Sequence, residues 1–170
     1  EEIVEPGPLR QFAKNYRLRE DKNVWTEAAL FTTDRMISYS EKVFPRIDEK
    51  NLVFLFSRGL FDTIVYQGLL GGVDLEVIKR MNAQIPFPDL VLVFIVNGEV
   101  GHQRLLERNR QTGEPISKNE TSERIDLLCS HYRSLPEYFP DININIIDTT
   151  KSNQEETYKL SYERIVQFLK

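Results

Sequence analysis

Leu52-Val53-Phe54-Leu55-Phe56 is an unbroken apolar run that ends on Ser57-Arg58, and its reading decides the fold. A run this short, aliphatic and aromatic throughout and closed by polar residues, fits a strand buried within a parallel sheet. Two further runs share its character: Leu90-Val91-Leu92-Val93-Phe94-Ile95-Val96, and Ile142 to Ile147 with asparagines interleaved. Glu2 to Glu5 is a candidate fourth strand, cut short by Pro6-Gly7-Pro8. Amphipathic stretches long enough for helices separate these runs. The alternation predicts an α/β fold of three layers, a mostly parallel sheet with helices on both faces.

Local signals place several helices. Thr26 is positioned to cap a helix running toward Phe44, with Pro45 ending it; Asp74 precedes Leu75-Glu76-Val77-Ile78; and Ser152 with Glu155 forms a capping box before the last helix. That last helix puts Tyr158, Tyr162, Ile165 and Leu169 on one stripe, the pattern of a surface helix facing a core. Gln111 to Glu120 is polar, carries Gly and Pro, and interrupts two helical patterns, so a lid is expected over about 111–121. There is no internal repeat, low-complexity tract or interdomain linker, and 170 residues suit one domain spanning 1–170.

Composition narrows the classes of partner. The net charge is −4 and the pI about 5.3, which disfavours a nucleic-acid footprint built from clustered Lys and Arg. A few local arginines still suffice for a small anion. Cys129 is the single cysteine, so no internal disulfide forms and a reducing compartment is the simplest setting. The acidic start Glu1-Glu2-Ile3-Val4-Glu5 lacks the regions of a secretory signal. Leu90 to Val96 falls far short of the roughly 20 residues of a membrane span. The expected location is cytoplasmic, where Asn119-Glu120-Thr121, a glycosylation pattern common by chance, goes unused.

Two stretches carry chemistry. Phe31 and Arg35 are one helical turn apart, so one can stack on a planar ring while the other bonds its edge; packing of Phe31 in the core and pairing of Arg35 with a surface carboxylate fits the spacing too. Arg58 follows a strand directly, at the carboxyl edge where ligands of open parallel sheets bind, and a guanidinium there suits a phosphate. Thr63, Tyr66 and Gln67 would line the same crevice from the next short helix. The structural alternative has Tyr66 filling a helix–sheet interface and Arg58 in an ion pair.

Together these stretches resemble the thymidylate kinase family, whose members carry F-x-x-D-R on a helix and D-R-Y-x-x-S-x-x-A-Y-Q-G after the third strand. Phe31-Thr32-Thr33-Asp34-Arg35 matches the first fully, and Ser57 to Gly68 matches the second at Arg58 and at Tyr66-Gln67-Gly68 without a gap. Glu5-Pro6-Gly7 is similar to the family's E-P-G-G turn, Pro88-Asp89-Leu90 to its P-D-L strand entry, and Ile147-Asp148 to its I-D strand end. The resemblance implies transfer of the ATP γ-phosphoryl, with Mg²⁺, onto dTMP or a related nucleoside monophosphate, in a P-loop kinase fold that dimerises through the helices around Phe31 and Tyr66. It places Phe31 on the thymine ring, Arg35 at its edge, Arg58 on the acceptor phosphate, Tyr66 against the deoxyribose, and Thr63 and Gln67 beside them. Arg104, Arg108 and Arg110 resemble the basic run leading into the lid, and Arg124 the arginine beyond it; among Arg108, Arg110 and Arg124 lie the groups that would neutralise the transferring phosphoryl.

Three departures qualify what the resemblance implies. Ser57 stands where the family has an aspartate that helps to hold Mg²⁺, and Gly59 replaces an aromatic wall of the pocket. No G-x-x-x-x-G-K-[S/T] occurs, so the residues given lack the phosphate loop for ATP. In the family a central strand comes with that loop, and leaving it out would bury unpaired backbone groups at about 1–3 kcal/mol each. The expectation is therefore a segment upstream of Glu1, or a relative that fills the gap otherwise. Two further readings are a catalytically weakened nucleotide-binding homologue, suggested by Ser57, and a deoxynucleoside kinase, suggested by Trp25 ahead of the Phe31 helix.

Overall fold

A computed structural model describes residues 2–4, 7–113, 116 and 120–170. Glu5-Pro6 of the expected turn and residues 114, 115 and 117–119 of the expected lid, Asn119 among them, lie outside the described residues. The chain divides into two compact units, Glu1–Pro86 and Phe87–Lys170.

In the first unit β1 (Glu2–Val4) pairs in parallel with β2 (Phe54–Phe56), Glu2 opposite Phe54 and Val4 opposite Phe56. The connection holds α1 (Arg10–Arg17) and α2 (Val24–Ser38). After β2 come α3 (Leu60–Thr63), a widened π-helical turn (Ile64–Leu69) and α4 (Leu75–Met81). Ala28, Ile64, Val65 and Ile78 are fully buried at its centre. A second cluster joins Tyr39, Val43 and Ile85 to Met36, Phe44 and Phe54. Gly7 seats the turn after β1 on α2, since a Cβ there would lie 2.4 Å from the Asp34 carbonyl oxygen; only glycine allows that approach.

In the second unit β3 (Val91–Ile95) pairs in parallel with β4 (Ile144–Asp148), Val91 opposite Ile144. Helices α5 (Gly98–Thr112), α6 (Ser122–Tyr138) and α7 (Gln154–Phe168) complete it. Val93, Ile95, Cys129, Leu135, Phe139 and Ile147 are buried. Asn97 caps α5 by accepting from the Glu99 and Val100 amides, and Asp126 on α6 accepts from the Gly98 amide at 2.7 Å. Arg104 is committed to the turn after β4, donating to the carbonyls of Thr149 and Ser152 at 2.7 and 2.9 Å.

All four expected strands form, and each pairing is parallel. Burial on both faces is not seen: Val93 and Ile95 point inward, but Phe94 between them is 49% exposed. The cap of α2 is Asn23, whose Oδ1 accepts from the Trp25 and Thr26 amides at 2.9 and 3.2 Å. Thr26 is thus inside the first turn, as expected when an Asn stands nearer the start and binds orphan donors better than Thr. The α2 path then relaxes into a π-helical turn (Tyr39–Val43) and a 3-10 turn (Phe44–Arg46) that contains Pro45.

Asp74 caps α4 as expected, taking the Glu76 and Val77 amides. The box on α7 is Asn153 with Glu156, one residue beyond Ser152 and Glu155, both of its bonds being 2.9 Å. Ser152 is unavailable because its amide closes a turn on the Thr149 carbonyl. The α7 stripe does not face a core: Tyr158, Tyr162 and Leu169 are exposed, and only Ile165 is half-buried. Tyr158 and Tyr162 stack on each other instead, with ring centroids 6.2 Å apart. Among the described residues no helix is long and apolar enough to cross a membrane.

Candidate active site

A cavity in the first unit collects every residue of the two motif stretches singled out for binding: Phe31, Arg35, Arg58, Thr63, Tyr66 and Gln67 all line it. Helix α2 supplies the first two one turn apart, and the segment after β2 supplies the rest. The cavity therefore lies past the carboxyl end of a parallel strand, where ligands of such sheets are received.

Arg35 is the most constrained of these side chains. Its Nη2 donates to the Gly59 carbonyl at 2.9 Å and to Thr63 Oγ1 at 2.8 Å, and its Nη1 donates to Asn82 Oδ1. Among the described residues no surface carboxylate pairs with it. Asn82, 2% exposed, passes the network on, donating to Thr32 Oγ1 at 3.2 Å and to the Ile78 carbonyl at 2.8 Å. Loss of water around the guanidinium brings its pKa well below the ordinary arginine value, down to about 10, opposed by the nearby Asp62 carboxylate. Arg35 is still a cation at neutral pH.

Arg58 stands at φ +78°, a left-handed backbone conformation that favours glycine and costs another residue on the order of 1–2 kcal/mol. Such outliers gather at ligand sites. Its Nη1 lies 3.3 Å from Asp62 Oδ1, so the ion pair that the structural alternative foresaw does exist. That pair is largely exposed and weak by nature. Asp62 also caps α3, its Oδ2 accepting the Gly59 amide at 2.8 Å. The chain thus places a carboxylate in the cavity five residues after Ser57.

Around Gly59 a built Cβ meets nothing within 4 Å, so the missing aromatic wall is open space. Phe56, stacked on Tyr39 at 5.0 Å between centroids, forms a wall nearby.

Helix α1 contributes residues that the two motifs did not flag. Arg17 lies over the Tyr66 ring at 4.4 Å and pairs through Nε with Glu27 Oε1 at 3.3 Å. Glu27 is buried at 4% exposure. Arg10 lies over the Phe31 ring at 5.2 Å. Their spacing of seven is the one signal in the sequence: two full turns bring residues i and i+7 to one helix face, with buried Ala13 between them. Asp34, buried beneath, accepts the Leu9 amide at 2.9 Å. Trp25 is exposed and does not line the cavity, which removes the feature that suggested a deoxynucleoside kinase.

The arginines expected to act on the transferring phosphoryl all belong to the second unit. Arg108 and Arg110 are exposed on α5, and Arg124 is exposed near the start of α6. Arg110 reaches Glu107 at 3.5 Å and lines a shallow groove with His102, Glu99 and Ser122. Arg108 and Arg124 do not line that groove. Among the described residues no group of three His, Cys, Asp or Glu is arranged to hold a metal ion.

Comparison with known proteins is consistent with this geometry. Residues 5–159 match the thymidylate kinase family model. The thymidylate kinase of Staphylococcus haemolyticus is 29% identical over 155 residues, spanning 87% of this chain and 72% of that protein. A thymidylate kinase of Staphylococcus epidermidis is 25% identical over 154 residues, with the same coverage of each. The crystal structure of thymidylate kinase from Ehrlichia chaffeensis superposes with a TM-score of 0.63, covering 97% of this chain and 80% of that one at 16% identity. The fold is that of the P-loop kinases, and with the arginine-lined cavity it defines a nucleoside monophosphate kinase. Within that class the match over most of the chain is specific, and the chain belongs to the thymidylate kinase family.

Proposed function

We propose that the protein moves the γ-phosphoryl of ATP, with Mg²⁺, onto dTMP, and that the cavity of the first unit is the acceptor site. One observation carries this reading: Phe31, Arg35, Arg58 and Tyr66, drawn from two separate motifs, line a single cavity. In it Phe31 stacks on the base, Arg35 bonds the base edge, Tyr66 backs the sugar and Arg58 holds the phosphate.

An oxygen of the acceptor phosphate attacks the γ-phosphorus, and the bond to the β–γ bridging oxygen breaks to release ADP. A phosphate monoester with its second pKa near about 6 is already a dianion at neutral pH. The acceptor is therefore its own nucleophile, and no side chain has to remove a proton. The work left to the protein is to position the acceptor and offset charge. Arg58 does this at the acceptor phosphate, and Arg108, Arg110 and Arg124 are assigned to the transferring group. Ser57 does not bear on the attack, only on how Mg²⁺ is held, and the described residues by themselves do not make up that metal site.

We assign the two units to one kinase domain with a lid over about 111–121, working in the cytoplasm as a dimer through the helices around Phe31 and Tyr66. The test is ADP release by the full-length gene product with ATP, Mg²⁺ and dTMP; absence of turnover with dTMP would rule the reading out.

A further inference from the structure

Four guanidinium groups line the acceptor cavity, and three are tethered. Arg17 is held by Glu27, Arg35 by Gly59, Thr63 and Asn82, and Arg58 by Asp62. Among the described residues the head of Arg10 has neither an acidic nor a hydrogen-bonding partner; it rests on the Phe31 ring. We propose that Arg10 is a further acceptor-binding residue, which leaves the Phe31 face as the nucleotide enters and meets its phosphate alongside Arg58. This rests on the reading of the cavity as a monophosphate site.

Three observations converge. First, a half-buried guanidinium with five N–H donors and no acceptor is poorly satisfied, and bidentate pairing with a phosphate oxygen pair is what its geometry suits best. Second, Arg10 stands close enough to Arg35 to oppose its charge. Two neighbouring cations without a carboxylate on one of them are relieved by an incoming dianion. Third, Arg10 shares the cavity with Phe31 and Arg58 and lies over the Phe31 ring at 5.2 Å, the ring on which the base is proposed to stack. A base that stacks on the face under Arg10 displaces its guanidinium. Arg10 lies over that ring, and among the described residues nothing tethers its head.

Helix α1 suits the movement. Buried Ala13 fixes its middle against the unit, and Arg17 is anchored one turn further on. Arg10 sits on the first residue of the helix, where only its own rotamers have to change.

The experiment compares affinities of the full-length protein for dTMP, by calorimetry, and for thymidine, by competition, in wild type, R10Q and R10K. R10Q is expected to weaken dTMP about tenfold or more, as for loss of a charge-assisted bond, while thymidine changes less than about twofold and R10K, which keeps the charge but not the fork, falls between wild type and R10Q. Unchanged dTMP binding by R10Q, or an equal loss for both ligands, overturns the role of Arg10 and leaves the site reading standing. Wild-type protein that fails to bind dTMP overturns both. A collapse of thermal stability in R10Q marks Arg10 as structural and likewise overturns the proposal.

Discussion

Asp62 grips Arg58 from one turn along the chain: its Oδ1 lies 3.3 Å from Arg58 Nη1 while its Oδ2 takes the Gly59 amide at 2.8 Å. One carboxylate thereby starts a helix and shares the guanidinium that we assign to the acceptor phosphate. Asp62→Asn keeps an oxygen for the Gly59 amide and removes the charge. It is expected to tighten dTMP binding severalfold, on the order of 0.5–1 kcal/mol for a partly exposed charge, with little loss of stability. Calorimetry checks this; weaker binding would mean that Asp62 positions Arg58 rather than competing for it.

Arg58 itself trades stability for position. Replacing it by glycine relieves the left-handed backbone at φ +78° and is expected to be neutral or stabilising by up to about 1 kcal/mol, whereas alanine keeps the strain. Both variants lose the phosphate contact, raising KM for dTMP by roughly tenfold or more. Urea unfolding beside steady-state kinetics separates the two effects. A fall in stability for Arg58→Gly would show that the ion pair outweighs the strain.

The open space beside Gly59 can be refilled. Its φ of −171° is ordinary extended backbone, and no atom lies within 4 Å of a built Cβ. Gly59→Tyr is therefore expected to fold normally and to restore a pocket wall, lowering Kd for dTMP by an amount on the order of 1 kcal/mol. Melting temperature and dTMP titration together test it, and a destabilised or unimproved variant refutes it.

Proton linkage follows from Arg35. Its folded-state pKa of about 10 lies well below the ordinary arginine value, so the fold disfavours the charged form. At neutral pH this residue costs stability, at most about 3 kcal/mol before its hydrogen bonds are counted. That cost lifts as pH rises through about 10, where the folded protein releases the proton and the unfolded chain still holds it. The stability gap between wild type and Arg35→Gln should thus move in favour of wild type from about pH 9 to about pH 11, while dTMP affinity falls over the same interval. A flat gap would mean that Arg35 is not desolvated in solution.

Asn82→Ala is expected to destabilise the first unit by about 2–4 kcal/mol, because Arg35, Thr32 and the Ile78 carbonyl each lose a buried partner. Denaturant unfolding measures this, and a loss under about 1 kcal/mol would show that water replaces the amide.

Strand positions and the cavity-lining motif residues were legible because each depends on local pattern: apolar runs for β2, β3 and β4, and turn spacing for Phe31 with Arg35. What stayed hidden was set by competition between neighbours or by long-range contact. Asn23 starts the helix three residues ahead of Thr26 by taking the Trp25 and Thr26 amides, and Asn153 replaces Ser152 once the turn at Thr149 has claimed the serine amide. Asn82 meets Arg35 across a sequence separation of 47, which no periodicity reports. The outward Phe94 and the exposed α7 tyrosines defied a pattern that counts apolar residues without knowing what covers them.

The network through Asn82 has a consequence for redesign. The guanidinium assigned to read the base is also the hub that ties α2 to α3 and α4, so selectivity and folding are written in the same atoms. Changing the preferred base at Arg35 alone would report as an unstable protein rather than a switched enzyme. A library aimed at new nucleobases would have to vary Arg35, Thr63 and Asn82 together, and a screen that touched one of them at a time would find mostly misfolded clones.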